Sequence, residues 1–126
     1  MAYVYPEAET LENNPLQGNG QCVTLVRHHT AAPASSTWNE GAMARGTDGI
    51  AKGTIIATFV NGHYPNMSSG NHAAFYISQD AHGIAVIDQW ATSPHITKRV
   101  LRYKGKKADG SYVDPSNNGD AFSVVE

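Results

Sequence analysis

The chain has a single cysteine, Cys22, in 126 residues. No intrachain disulfide can form, and zinc-finger and iron–sulfur frameworks fail too, because each needs several thiolates. Charge is also scarce. Charged side chains make up 16% of the chain, against about a quarter in an average soluble protein, and the formal net charge is −2. Such a balance supplies no basic stripe for nucleic acid or for an anionic membrane surface. No apolar run nears the roughly 18 residues of a membrane span. Residues 1–14 are acidic and polar, without the basic and apolar segments of a secretory signal. The expectation is synthesis in the cytoplasm, with export by a route lacking a cleaved signal left open. Also missing are the His-Glu-x-x-His of zinc peptidases, the Gly-x-Ser-x-Gly nucleophile elbow, the Gly-Lys-Ser/Thr phosphate loop and the dinucleotide fingerprint.

What is present suffices for one folded domain over residues 1–126. Hydrophobic residues form 40% of the chain, and a chain of this length buries roughly two-thirds of its unfolded surface. Pro6 to Asn14 carries helix chemistry, with proline at a first-turn position and Glu7, Glu9 and Glu12 following. Leu16 to Cys22 is a glycine-marked loop, and Asn19 is placed to cap a helix over about Gly20 to Thr30. Thr37 to Ala44 reads as a weak helix. The pattern then turns to strand at Thr54–Val60, Asn71–Ser78, Ile84–Trp90, Lys98–Tyr103 and Ala121–Val125. Asn61–Gly70 and Lys104–Asp120 are polar loops. Helices followed by a run of strands predict an α+β fold, with N-terminal helices packed on a 4–5-stranded antiparallel sheet.

Cys22 is the first candidate for chemistry. In the first turn of a helix its thiol would ionise more easily, and only the thiolate is a nucleophile. The plainer reading is an inert, buried thiol. An active thiol needs a base, and there are six histidines. His28 and His29 fall at the far end of the cysteine's own helix, and His63, His82 and His95 lie in turns. His72 instead opens a strand that is apolar on both faces, hence a central one. A base needs an orienting group. Asp88 lies on the next strand, on the face of Ile84 and Val86, and a hairpin brings it toward His72. Asp88 ending its strand at solvent is the other reading.

Gly18-Asn19-Gly20-Gln21-Cys22, Gly70-Asn71-His72-Ala73-Ala74 and Ile87-Asp88-Gln89-Trp90, in this order, resemble the CHAP and NlpC-type branch of papain-like cysteine peptidases. The Asp88 segment departs from the Glu-Gln-Asn-Trp often found there. The resemblance covers roughly Gly18 to Trp90, and the short chain also looks like small bacterial amidases, some of them delivered by type VI secretion. It implies a papain-like fold and hydrolysis of amide bonds in peptidoglycan stem peptides. Cys22 would be the nucleophile, His72 the base and Asp88 the orienting residue, with Gln89 as the alternative. The Cys22 N–H would join an oxyanion hole, with Gln17 and Gln21 as candidates for the second donor. No metal or organic cofactor is implied. The implied partners are the wall peptide and, for a wall-cutting toxin, a dedicated immunity or inhibitor protein. Lys104, Lys106 and Lys107 could meet stem carboxylates or form a solvated basic loop. Two other functions fit the same fold: a non-catalytic peptide- or partner-binding module, and an effector peptidase or deamidase acting on proteins.

Overall fold

The computed structural model describes residues 1–65 and 67–126; Asn66, inside the predicted loop Asn61–Gly70, lies outside the described residues. Among the described residues, six strands form one antiparallel sheet: β1 (Glu40–Met43), β2 (Ile55–Thr58), β3 (Ala73–Gln79), β4 (Gly83–Asp88), β5 (Thr97–Arg102) and β6 (Phe122–Val125), in the spatial order β1-β6-β2-β3-β4-β5. One α-helix is present among the described residues, α1 (Cys22–His28). The fold is therefore α+β, with one strand more than the sequence predicts and only one of the expected helices.

The corrections have physical causes. Residues predicted to form the first helix make only a short 3-10 turn, Ala8–Leu11. Their flanks are drawn into tertiary pairing: the Tyr5 N–H donates to the Gly53 carbonyl, and the Asn13 N–H to the Ile96 carbonyl. The segment read as a weak helix holds a 3-10 turn at Ser35–Thr37 and then β1, which borders β6 at the sheet edge. Gly41 disfavours a helix there, and pairing with a strand eighty residues on leaves no local signal. α1 starts at Cys22 rather than Gly20 and stops at His28.

A seven-residue helix is marginal alone, so packing must hold α1. Leu25 and Val26 are wholly buried against one face of the sheet, in a core with Trp38, Ile55, Phe75 and Ile87. Full burial of each such side chain contributes about 1.5–3 kcal/mol. The opposite face has its own core of Ile56, Tyr76, Ile84, Val86, Leu101 and Phe122. β3 lies inside the sheet and packs on both sides, which is why its sequence is apolar at every position from Ala73 to Ile77. Its pairing with β4 includes Phe75 opposite Ile87 and Tyr76 opposite Val86. One more step of that register sets Ala74 opposite Asp88, so His72 becomes Asp88's diagonal neighbour on the same face.

Candidate active site

The loop before α1 is shaped by two glycines. Gly18 (φ 58°) and Gly20 (φ 81°) are left-handed, and a Cβ on Gly18 would lie 2.8 Å from the Thr24 methyl. Between them, the Asn19 side-chain oxygen accepts from the Gln21 N–H (3.0 Å) and the Thr24 hydroxyl (2.7 Å). Asn19 thus braces the helix start from one turn away, while Gln21 occupies the N-cap position without a side-chain cap bond. Cys22 becomes the first helical residue, half-buried.

Gln89, buried beside Asp88 in sequence, fastens this loop to the sheet. Its amide oxygen accepts from the Gln17 N–H (2.7 Å), and its NH2 donates to the carbonyls of Gln17 (3.0 Å) and Gln21 (2.8 Å). Gln17 therefore meets Gln89 through its peptide groups. Gln21 lines the cavity above Cys22.

His72 and Asp88 are both buried, with Nε2 of the ring 2.7 Å from the Asp88 Oδ2. Cys22 and His72 line the same cavity, and each is among the groups that shift the other's pKa. With Nε2 turned to Asp88, Nδ1 is the ring nitrogen left free. It is Asp88 rather than Gln89 that touches the ring. Asp88 is fully satisfied: Oδ1 accepts from the Thr97 hydroxyl (2.6 Å), and Oδ2 also accepts from the Arg99 Nε (2.8 Å). A buried carboxylate with these donors stays ionised; burial alone would raise its pKa, but His72, Arg99 and Thr97 outweigh that and lower it.

The same balance governs the other two groups. Burial opposes a charged imidazole, but the Asp88 hydrogen bond and the Cys22 sulfur raise His72 to about 9. Burial likewise opposes a thiolate, yet His72, the Ala73 N–H and the Tyr64 hydroxyl hold Cys22 below the usual thiol value. Both shifts favour the thiolate–imidazolium form of the pair over two neutral groups. Cys22 is also the first residue of α1, the first-turn placement that the sequence predicts.

Four contributors carry no local motif. Tyr64 sits in a loop, its hydroxyl 3.8 Å from the Cys22 sulfur and 3.2 Å from the Asn71 amide nitrogen. Burial and the neighbouring thiol push the Tyr64 hydroxyl well above its ordinary pKa, so it remains a donor. Thr97 and Arg99 come from β5, and Asn117 from the following long loop. One signal was available: Thr97 and Arg99 alternate with Lys98 and share the face of the buried Leu101.

A cavity of about 460 Å³ opens over Cys22 and His72. Ser68, Ser69 and Gly70 border it on one side and Ser116 and Asn117 on another, so both long loops reach the cleft. The lysines of the second loop do not line it; Lys104 pairs with Asp114 (2.8 Å), and Lys106 lies over the Tyr112 ring. No cluster of metal-ligating side chains occurs among the described residues.

A half-buried thiol beside a buried imidazole that is backed by a carboxylate, all under an open polar cleft, has the parts of a cysteine-dependent hydrolase on an α+β scaffold. A sequence model described as domesticated amidase effector 2 matches residues 7–125. Over its full length the chain is 46% identical to the whole of a type VI secretion amidase effector 2 protein from Salmonella typhi. It is 34% identical to a domesticated amidase effector 2 from Ixodes scapularis, over 84% of this chain and 70% of the relative. A solved structure of type 6 secretion amidase effector 2 superimposes with a TM-score of 0.92 at 45% identity, covering 98% of this chain and 94% of that one, which supports the papain-like fold. The chain belongs to the domesticated amidase effector 2 family, and by that membership is an amidase.

Proposed function

We propose that this chain hydrolyses an amide bond in the peptide stems of bacterial cell wall, with Cys22 as nucleophile, His72 as proton carrier and Asp88 as orienting residue. The carrying observation is the buried imidazole that bonds the Asp88 carboxylate (2.7 Å) and lines, together with the Cys22 thiol, an open polar cleft. The order of thiol, imidazole and carboxylate along the chain supports the CHAP and NlpC-type branch of the papain-like group. The Salmonella relative's name supports delivery by type VI secretion. On this reading the enzyme acts in a rival's periplasm, and the producing cell needs an inhibitor protein.

The thiolate adds to the carbonyl carbon, and its charge passes to the carbonyl oxygen. The Cys22 N–H, first in its helix and so without an intrahelical acceptor, donates to that oxygen, with the Gln21 amide as second donor. The His72 imidazolium gives its proton to the departing nitrogen, the C–N bond breaks, and a thioester remains. Water then attacks the thioester as neutral His72 takes its proton, releasing the acid and restoring the thiolate–imidazolium pair. Asp88, ionised throughout, holds the ring with Nε2–H toward itself and Nδ1 toward sulfur.

Digestion of purified peptidoglycan tests this directly. Wild type should release cleaved stem peptides, and Cys22→Ala or His72→Ala should lower the rate by at least about 10⁴-fold. Turnover that survives Cys22→Ala removes the nucleophile. Equal peptide binding by all three proteins without turnover supports a binding module instead.

A further inference from the structure

Arg99 is the remaining charged side chain bordering the cleft, among the described residues, once the Cys22–His72 pair is set aside. The other polar lining groups are neutral hydroxyls and amides. A quarter of the Arg99 side chain stays exposed. Its Nε donates to Asp88 (2.8 Å) and its NH1 to the Asn117 amide oxygen (2.7 Å). The NH2 group lies 3.4 Å from the His72 Nε2. That nitrogen already gives its hydrogen to Asp88, so it is no acceptor for NH2. The guanidinium carbon lies 5.0 Å from the centre of the Trp90 ring, within cation–π range.

This placement is poorly explained by support for Asp88 alone. Asp88 is already held by His72 and Thr97 (2.7 and 2.6 Å). A second cation against His72 opposes the imidazolium that the thiolate needs. A guanidinium beside an aromatic ring, anchored through Nε and NH1 and with spare N–H groups on NH1 and NH2 beside an open cleft, is suited to a carboxylate. The leaving nitrogen must stand beside the imidazolium that protonates it. Arg99 adjoins that ring (3.4 Å) and lines the same cavity, so its reach covers the leaving-group side of the scissile bond.

We propose that Arg99 is a specificity-determining residue that binds a free carboxylate carried by the substrate on the amine side of the scissile amide. The inference rests on the amidase reading above and narrows its substrate class to amides whose amine-side residue is anionic close to the bond.

The test uses two synthetic stem-derived peptides that differ only at that carboxyl group, free acid in one and primary carboxamide in the other. Wild type should favour the acid by roughly 10- to 100-fold in kcat/KM, chiefly through KM, as expected for a hydrogen-bonded charge. Arg99→Gln should bring the ratio close to one, and Arg99→Lys should restore part of it. A merely structural Arg99 would change both substrates in proportion and leave the ratio where wild type has it. Equal cleavage of the acid and the amide by wild type overturns the inference and leaves the amidase assignment standing. That comparison needs no variant, so it decides even if the Arg99 variants fold poorly. Cleavage of neither peptide, nor of intact peptidoglycan, brings down the amidase reading and this inference with it.

Discussion

Glu9 and Asp88 are each gripped by two cationic side chains: Glu9 by Lys52 (2.5 Å) and Lys98 (2.7 Å), Asp88 by His72 (2.7 Å) and Arg99 (2.8 Å). Both carboxylates are thereby pulled below their ordinary pKa, Glu9 to about 2. The distances match and the consequences do not. Glu9 keeps 35% of its side chain in solvent, where water competes for each ion and salt screens the attraction. Asp88 is fully buried, and so is its neighbour Gln89. Buried charges cannot fall back on water, so removing one partner leaves the others costly. The same ionic motif is an ornament of the surface at Glu9 and a fixed part of the cleft at Asp88.

The largest effect should come from Asp88→Asn. The side chain keeps its shape, but two cations lose their counter-charge, and the amide can present the wrong group to Nε2. Turnover should fall on the order of 10³-fold or more, as neutralising an orienting carboxylate does in other triads. Stability in urea should drop by about 3–5 kcal/mol, the usual consequence of orphaning a buried charge. A stable, active Asp88→Asn protein would erase the contrast with Glu9.

Titration sharpens the same contrast. His72 is raised to about 9 in the folded protein, above its unfolded value. Its contribution to stability is therefore complete below about pH 6.5 and is lost as pH rises through about 9. Asp88 has the opposite sign: its contribution is present above the ordinary carboxylate pKa and is lost as pH falls through its lowered one. Unfolding curves across alkaline pH should show a loss centred near 9 in wild type that is missing from His72→Gln. Turnover should fall over the same alkaline range, because the imidazolium is the proton donor.

How far these roles could be read from the sequence follows the range of the interactions. The hairpin from β3 to β4 is local, and its alternation is enough to bring His72 and Asp88 to one face. Gly18 and Gly20 betray a left-handed loop without any knowledge of what it packs on. Gln89 is the alternative partner for the ring in sequence, yet it fastens the Gln17–Gln21 loop instead. Alternation separates neighbours such as Asp88 and Gln89, but cannot say what each face meets. β1 is a strand only because β6 lies beside it, so its four residues show no strand pattern of their own. Tyr64 belongs to an irregular loop, where no periodicity assigns a direction.

Gln89 offers an uncharged counterpart to Asp88, equally buried and with every amide group bonded. Gln89→Leu should leave the Gln17 and Gln21 backbone groups without partners and cost about 2–3 kcal/mol. Activity should fall because the loop carrying Cys22 shifts, while the alkaline loss set by His72 stays in place. Movement of that limb in Gln89→Leu would mean the amide couples to the imidazole after all. A smaller change is expected from Tyr64→Phe, which deletes one long contact to sulfur. The thiol should alkylate more slowly at mildly acidic pH, by roughly fivefold, the value of one modest hydrogen bond.

Glu9→Gln should have the smallest effect of all. The substitution removes the charge that Lys52 and Lys98 share, but each lysine ammonium simply returns to water. Turnover should be unchanged, since Glu9 bridges Lys52 and Lys98 and borders no part of the cleft. The unfolding midpoint at neutral pH and moderate salt should match wild type within scatter. Any difference should emerge only at low ionic strength, where surface attraction is least screened. A large, salt-independent loss of stability in Glu9→Gln would show that closeness of the ions, rather than their removal from water, decides what a carboxylate between two cations is worth.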